Sequence, residues 1–168
     1  MITLVLGGAR SGKSELAEQL AAAEPGPVTY IATAVVDDDD FAARVEAHRA
    51  RRPPSWTTIE AGTGLVEALG SVEGTVLVDS LGTWLAASPG FQGDVPGLLN
   101  VLRRRDGGTV LVSEEVGLGV HPSTEVGGRF RDALGGLNRQ VSALADDVLL
   151  VVAGRALRLE GPPVTRPG

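Results

Sequence analysis

Gly7-Gly8-Ala9-Arg10-Ser11-Gly12-Lys13-Ser14 is the stretch that decides the fold. It fits the pattern G-x-x-x-x-G-K-[ST], and its surroundings fit as well. An apolar run, Ile2–Leu6, ends where the glycines begin, and a helical pattern with Leu16, Ala17 and Leu20 on one face follows. In that setting successive backbone N–H groups can curl around phosphate oxygens at the positive end of a helix. Lys13 is spaced to reach the β- and γ-phosphates of a nucleoside triphosphate, and the Ser14 hydroxyl to ligate Mg²⁺. A chance glycine turn before a helix accounts for fewer of these features together.

Outward from this loop, short apolar runs alternate with longer helical patterns. Strands are expected at Ile2–Leu6, Val28–Ala32, Thr75–Asp79, Thr109–Ser113 and Asp147–Val152. Helices are expected at Gly12–Ala23, Asp40–Arg52, Val95–Arg105 and Glu125–Ala145, and Arg155–Leu159 reads as a terminal antiparallel strand. Pro25-Gly26-Pro27, Pro53-Pro54 and Ala86–Gly93 read as loops. The class expected is α/β: a P-loop NTPase with a RecA-like, mostly parallel sheet and helices on both faces, in one domain spanning residues 1–168. The strand Thr75–Asp79 ends in a carboxylate. In P-loop folds such an Asp79 faces the loop and orients Mg²⁺, although an aspartate closing a strand can equally cap a loop.

Composition narrows the partners. The net charge is −6, which argues against a sequence-independent nucleic-acid binder. The chain has no cysteine, so disulfides, thiolate metal sites and cysteine nucleophiles are excluded. No apolar stretch approaches the ~20 residues of a membrane span, and Ile2–Leu6 lacks the flanks of a signal peptide. The expectation is a soluble, cytoplasmic protein. Of 15 lysines and arginines only Lys13 is lysine, and it lies in the phosphate loop.

The segment Asp37–Arg52 carries a second signal. The aspartates from Asp37 to Asp40 suit a helix start. Arg44, His48 and Arg52 then recur at helical spacing on one face, with Arg49 and Arg51 beside them and Pro53 as a stop. Surrounding positive charge disfavours imidazolium, which would leave His48 a neutral nucleophile while the arginines hold a polyphosphate against it. From the pattern alone, an exposed basic helix with an incidental histidine explains this face better.

Taken in order, these blocks resemble the bifunctional adenosylcobinamide kinase / adenosylcobinamide-phosphate guanylyltransferases of cobalamin biosynthesis. The phosphate loop with Ala17-Glu18, Tyr30-Ile31-Ala32-Thr33-Ala34, and Arg44, His48 and Arg51-Arg52-Pro53 match that family's pattern. So do Trp56 and Glu60, Val76–Asp79 with Leu81 and Trp84, and Glu115–Gly119 with Pro122. Gly128–Asp132 with Gly135, Leu137 and Asn138 complete the match.

The resemblance implies that adenosylcobinamide takes a γ-phosphoryl group from ATP or GTP. A histidine, by position His48, then attacks the α-phosphorus of GTP, and the guanylyl group passes to adenosylcobinamide phosphate. It also implies a nucleotide site from Gly7, Gly8, Ala9, Arg10, Ser11, Gly12, Lys13 and Ser14 together with Ala32, Thr33, Ala34, Arg49, Ala50, Arg51, Arg52, Glu60 and Gly82. Lys13 and Asp79 join His48 as catalytic residues, Ser14 and Asp79 face Mg²⁺, and the oligomer expected is a homotrimer. For the base of the kinase step Asp79 is the candidate.

The chain departs from that pattern in places. Glu114 stands where the family usually has asparagine, Gly82 where threonine is common, and His121 where an apolar residue is usual. His121 reads as a surface loop residue. A P-loop small-molecule kinase without guanylylation is the remaining alternative, but it leaves the Arg44–His48–Arg52 face unexplained. A GTPase switch is excluded by its base-reading motif N-K-x-D, since Lys13 is the sole lysine. An acidic single domain also gives no sign of the DNA-binding surface expected of a RecA-like motor subunit.

Overall fold

In the computed structural model, residues 1–34 and 52–161 are described. Most of the expected helix Asp40–Arg52 lies outside them, and with it Arg44, His48, Arg49, Ala50 and Arg51. The chain runs β1 (Ile2–Gly7), α1 (Lys13–Ala23), β2 (Val28–Ala32), β3 (Thr57–Glu60), α2 (Leu65–Ser71), β4 (Thr75–Asp79) and α3 (Leu81–Ala87). After a short 3₁₀ turn at Pro89–Phe91 come α4 (Val95–Arg104), β5 (Thr109–Glu114), α5 (Glu125–Ser142), β6 (Asp147–Val152) and β7 (Arg155–Arg158).

The strands form one 7-stranded sheet in the order β3-β2-β4-β5-β1-β6-β7. Every pair is parallel except β6 with β7. Side chains divide between the faces with the strand period of two. Leu4 and Leu6 of β1 turn to one face and Val5 to the other; Val76 and Val78 part from Leu77 in the same way, and Leu111 from Val110 and Val112. On the first face α2, α3, α4 and α5 contribute Leu65, Trp84, Leu98 and Leu134. On the second, α1 packs Leu16, Ala17, Leu20 and Ala21 against Val5, Tyr30 and Leu77. Buried on both sides, the central strands read as nearly continuous apolar runs, which is why they were visible in the sequence.

The expected strands are all present, with bounds within a residue. Three elements were not expected: β3, α2 and α3. Glu125–Ala145 was too long by the residues after Ser142, and Ala86–Ala87, assigned to a loop, close α3.

The register sets the functional edge. Ala32 pairs with both Glu60 and Asp79, and Gly7 pairs with Glu114. The residues at the carboxyl ends of β3, β2, β4, β5 and β1 therefore form one row, the rim where open parallel sheets bind ligands. A groove between α2 and α4 lies at the opposite rim. There the Arg105 guanidinium donates to the carbonyls of Leu69, Val72 and Gly74 at 2.7, 2.6 and 2.8 Å. These bonds close the end of α2 and occupy the cation.

Candidate active site

The loop from Gly8 to Gly12 leaves β1 and turns back on itself, with Ser11 N–H donating to the Gly8 carbonyl at 3.3 Å. A side chain at Gly7 would strike the Ser11 hydroxyl and come within 2.9 Å of the Val151 carbonyl, so only glycine fits. Gly12 has φ 94°, a left-handed value that costs glycine little. Glycine brings no side-chain cap to α1; the Lys13 N–H lies 3.4 Å from Ser11 Oγ, and the start of the helix turns its positive end towards an anion. The turn between β6 and β7 braces the loop, because Gly154 N–H donates to the Ser11 carbonyl at 2.8 Å. Nothing in the sequence marked that turn as part of the site.

Lys13 folds back over the loop, 3.3 Å from the Gly8 carbonyl and 3.7 Å from Glu114 Oε1. Its ammonium is thus held above the cradle, where a triphosphate would replace these contacts. Asp79, one strand beyond β5, accepts the Tyr30 hydroxyl at 3.2 Å. Burial first, and then the neighbouring Asp79 carboxylate, hold the Tyr30 phenol far above its ordinary pKa, so it stays a donor. Arg52 lies over the same ring, 3.6 Å from its centroid, and reaches Thr58 Oγ1 at 3.4 Å.

Glu114 is the residue that sequence reasoning marked only as a departure. Ser80 Oγ lies 3.0 Å from each of its carboxylate oxygens. Burial pushes its carboxyl above the usual carboxylate range; the Lys13 charge and the Ser80 hydroxyl oppose the shift, and Asp79 adds to it. A Cβ at Gly82 would overlap Glu114 Oε2 and lie 2.9 Å from Cδ, so the two departures meet in space. The carboxylate fills the volume that glycine leaves. Asn138 on α5 holds the end of β5: its amide donates to the Glu114 carbonyl at 3.0 Å and accepts from Ser113 Oγ at 2.6 Å.

The remaining expected residues fall as follows. The Thr33 hydroxyl is buried against Ser80 and Thr83, 2.6 Å from the Ser80 carbonyl and 2.6 Å from Thr83 Oγ1, so its side chain braces the start of α3. Ser80 and Thr83 close a capping box there. Glu60 and Ala32 lie on the functional rim, while Ala9 and Arg10 are exposed on the loop. His121 is exposed, with Nδ1 2.9 Å from the Pro122 carbonyl, as expected of a surface loop residue.

A parallel sheet with an uncapped helix behind a glycine loop, a lysine over that loop and an aspartate two strands away define an α/β nucleotide-binding protein of the P-loop kind. Residues 3–159 match the family described as cobinamide kinase / cobinamide phosphate guanyltransferase. The chain belongs to this family, the bifunctional kinases and guanylyltransferases of cobalamin biosynthesis.

It is 40% identical over 173 residues to the bifunctional adenosylcobalamin biosynthesis protein CobP of Pseudomonas aeruginosa, covering 98% of this chain and 100% of the relative. To the protein CobU of Escherichia coli it is 34% identical over 182 residues, covering 95% of this chain and 100% of the relative. A solved type III secretion ATPase from pathogenic bacteria shares the fold at TM-score 0.55 and 10% identity, over 89% of this chain and 50% of its own. That likeness concerns the fold alone.

Proposed function

We propose that the chain catalyses both reactions of its family on one nucleotide cradle, with His48 as the covalent carrier in the second. In the first, the hydroxyl of adenosylcobinamide takes the γ-phosphoryl group of ATP or GTP. In the second, a neutral His48 nitrogen bonds to the α-phosphorus of GTP as pyrophosphate leaves, and an oxygen of adenosylcobinamide phosphate then displaces the histidine. Adenosylcobinamide-GDP results. Dividing one transfer into two displacements is ordinary covalent catalysis.

The observation that carries this reading is the seat of Arg52 over Tyr30, whose hydroxyl reaches Asp79. His48 precedes Arg52 by four residues, so covalent reach alone keeps their Cα atoms within about 14 Å. In this reading the histidine acts at the rim where Arg52 and Tyr30 meet Asp79. Arg49, Ala50, Arg51 and Arg52 would hold the nucleotide with Ala32–Ala34, Glu60 and Gly82.

Ser14 and Asp79 offer a hydroxyl and a carboxylate, hard oxygen donors that suit Mg²⁺. Among the described residues no three His, Asp or Glu side chains converge, and Mg²⁺ commonly takes few protein ligands and completes its shell from phosphates and water. Bound there, the ion would neutralise charge on the leaving phosphates.

The strand order supports the RecA-like reading, because β5 lies between the loop strand and the Asp79 strand. Exposed Val152, Leu157 and Leu159 at the β6–β7 edge favour assembly, read here as a homotrimer. The described residues contain no helix long and apolar enough to cross a membrane.

The test uses GTP labelled at the α- or γ-phosphate with Mg²⁺, followed by denaturation. Acid-labile, base-stable protein label is expected from the α-position only, and none in His48→Asn. Label persisting in that variant would refute the histidine assignment. Phosphorylation of cobinamide without any protein label would leave the plain kinase.

A further inference from the structure

We infer that Glu114 is the general base of the phosphorylation step, taking the proton from the cobinamide hydroxyl as that oxygen attacks the γ-phosphorus. The inference rests on the reading of Gly7–Ser14 as the seat of the triphosphate. Lys13 is the group that meets the β- and γ-phosphates in such a loop, and Glu114 Oε1 lies 3.7 Å from its ammonium. The carboxylate therefore stands at the outer end of the triphosphate, where an acceptor alcohol must arrive.

Its side chain is 29% exposed, enough for a substrate to reach it. Its orientation is fixed from three sides. Ser80 Oγ bonds the carboxylate, Asn138 holds the Glu114 backbone, and bare Gly82 leaves the room it occupies. Ser80 has one proton to give and Lys13 stands at a long distance, so a carboxylate with about four acceptor positions keeps capacity for a hydroxyl. Asp79 accepts the Tyr30 hydroxyl in the same way, but it lies on a strand further from the loop and in this reading serves Mg²⁺. The inference therefore assigns the base to Glu114 in place of Asp79.

In the step, the hydroxyl proton moves to a Glu114 oxygen while the substrate oxygen bonds to the γ-phosphorus. The bond from that phosphorus to the β–γ bridging oxygen breaks, and the nucleoside diphosphate leaves with its electron pair. Glu114 afterwards returns the proton to water.

The experiment compares wild type with Glu114→Gln in both half-reactions, using cobinamide with γ-labelled ATP and, separately, cobinamide phosphate with α-labelled GTP. Nucleotide affinity is measured alongside by titration. The phosphorylation kcat is expected to fall by about 10²–10⁴-fold, the span of a lost general base, while guanylylation falls far less. Equal losses in both would mean that Glu114 acts only through Lys13, which serves both, and would overturn the inference. So would phosphorylation at near wild-type rate. Failure of wild type to bind nucleotide would overturn the triphosphate reading and this inference together, whereas loss of protein label alone would touch only His48. Glu114→Asp, shorter by one methylene, should recover part of the rate, and no recovery with intact nucleotide binding would also count against the assignment.

Discussion

The Arg52 guanidinium lies 3.6 Å from the centroid of the Tyr30 ring, and the Tyr30 hydroxyl donates to Asp79 at 3.2 Å. One buried side chain thus joins the arginine that follows the candidate nucleophile to the carboxylate that ends β4. Its face and its edge serve different partners.

Tyr30→Phe keeps the face and removes the edge contact. It should lower stability by about 1 kcal/mol in urea unfolding, the net worth of one hydrogen bond. Asp79 then loses a donor that fixes its orientation, so the Mg²⁺ concentration for half-maximal phosphorylation should rise. Tyr30→Leu also loses the ring under Arg52 and should weaken nucleotide binding further.

The overlap between Gly82 and Glu114 makes a thermodynamic cycle informative. A Cβ at Gly82 would displace the end of a flexible side chain. In a Glu114→Ala background, Gly82→Ala should stabilise the protein by up to about 1 kcal/mol, the helical advantage of alanine over glycine. With Glu114 present that gain should vanish, and the difference between the two backgrounds is the coupling. Equal effects in both would mean that the residues do not compete for this space.

Glu114 also predicts a dependence of stability on pH. Burial raises its folded pKa above the unfolded value, with Asp79 adding to the rise and Lys13 and Ser80 opposing it. A raised carboxyl pKa gives a contribution that is fully present below the unfolded value and lost as pH rises through the folded one. Above the unfolded value the group therefore costs stability. Glu114→Gln should melt at higher temperature than wild type near pH 7.5, and the gap should close towards pH 4. A gap that widens on acidification would contradict the sign.

Arg105 tests the rim away from the loop. Its guanidinium serves the carbonyls of Leu69, Val72 and Gly74, and burial lowers its pKa without removing its charge. Arg105→Met should cost about 1–3 kcal/mol by leaving carbonyl groups unsatisfied. Nucleotide affinity, measured by titration, should be unchanged.

Legibility in the sequence followed burial and spacing. The central strands announced themselves because both of their faces are covered, and the phosphate loop because its chemistry is contiguous. β3 escaped notice because Thr57-Thr58-Ile59-Glu60 is short, polar but for Ile59, and paired along one side only. α2 spans Leu65–Ser71, too brief for a helical period to stand out, with glycine before it and Gly70 within. α3 follows β4 after a single residue, and its capping box ends in Thr83 rather than the glutamate that usually signals one.

Within the candidate site, the placing of Lys13 over the loop and of Asp79 at the end of β4 could be expected from local pattern. The roles of Tyr30, Ser80 and Asn138 could not, because each depends on a partner far away in the chain, as Tyr30 does on Asp79. Glu114 and Gly82 were each visible as a departure, but only the folded chain shows that they are one feature.

The strand order has a consequence for how the enzyme is made. β1 finds its neighbours only in β5 and β6, with Ile2 opposite Thr109 and Thr3 opposite Asp147. As the chain leaves the ribosome, the strand that ends in the glycine loop waits unpaired until β5 and β6 have followed it. The loop that is the proposed seat of the nucleotide is thus fixed only after β5 and β6 have been made, and closing such distant pairings slows folding.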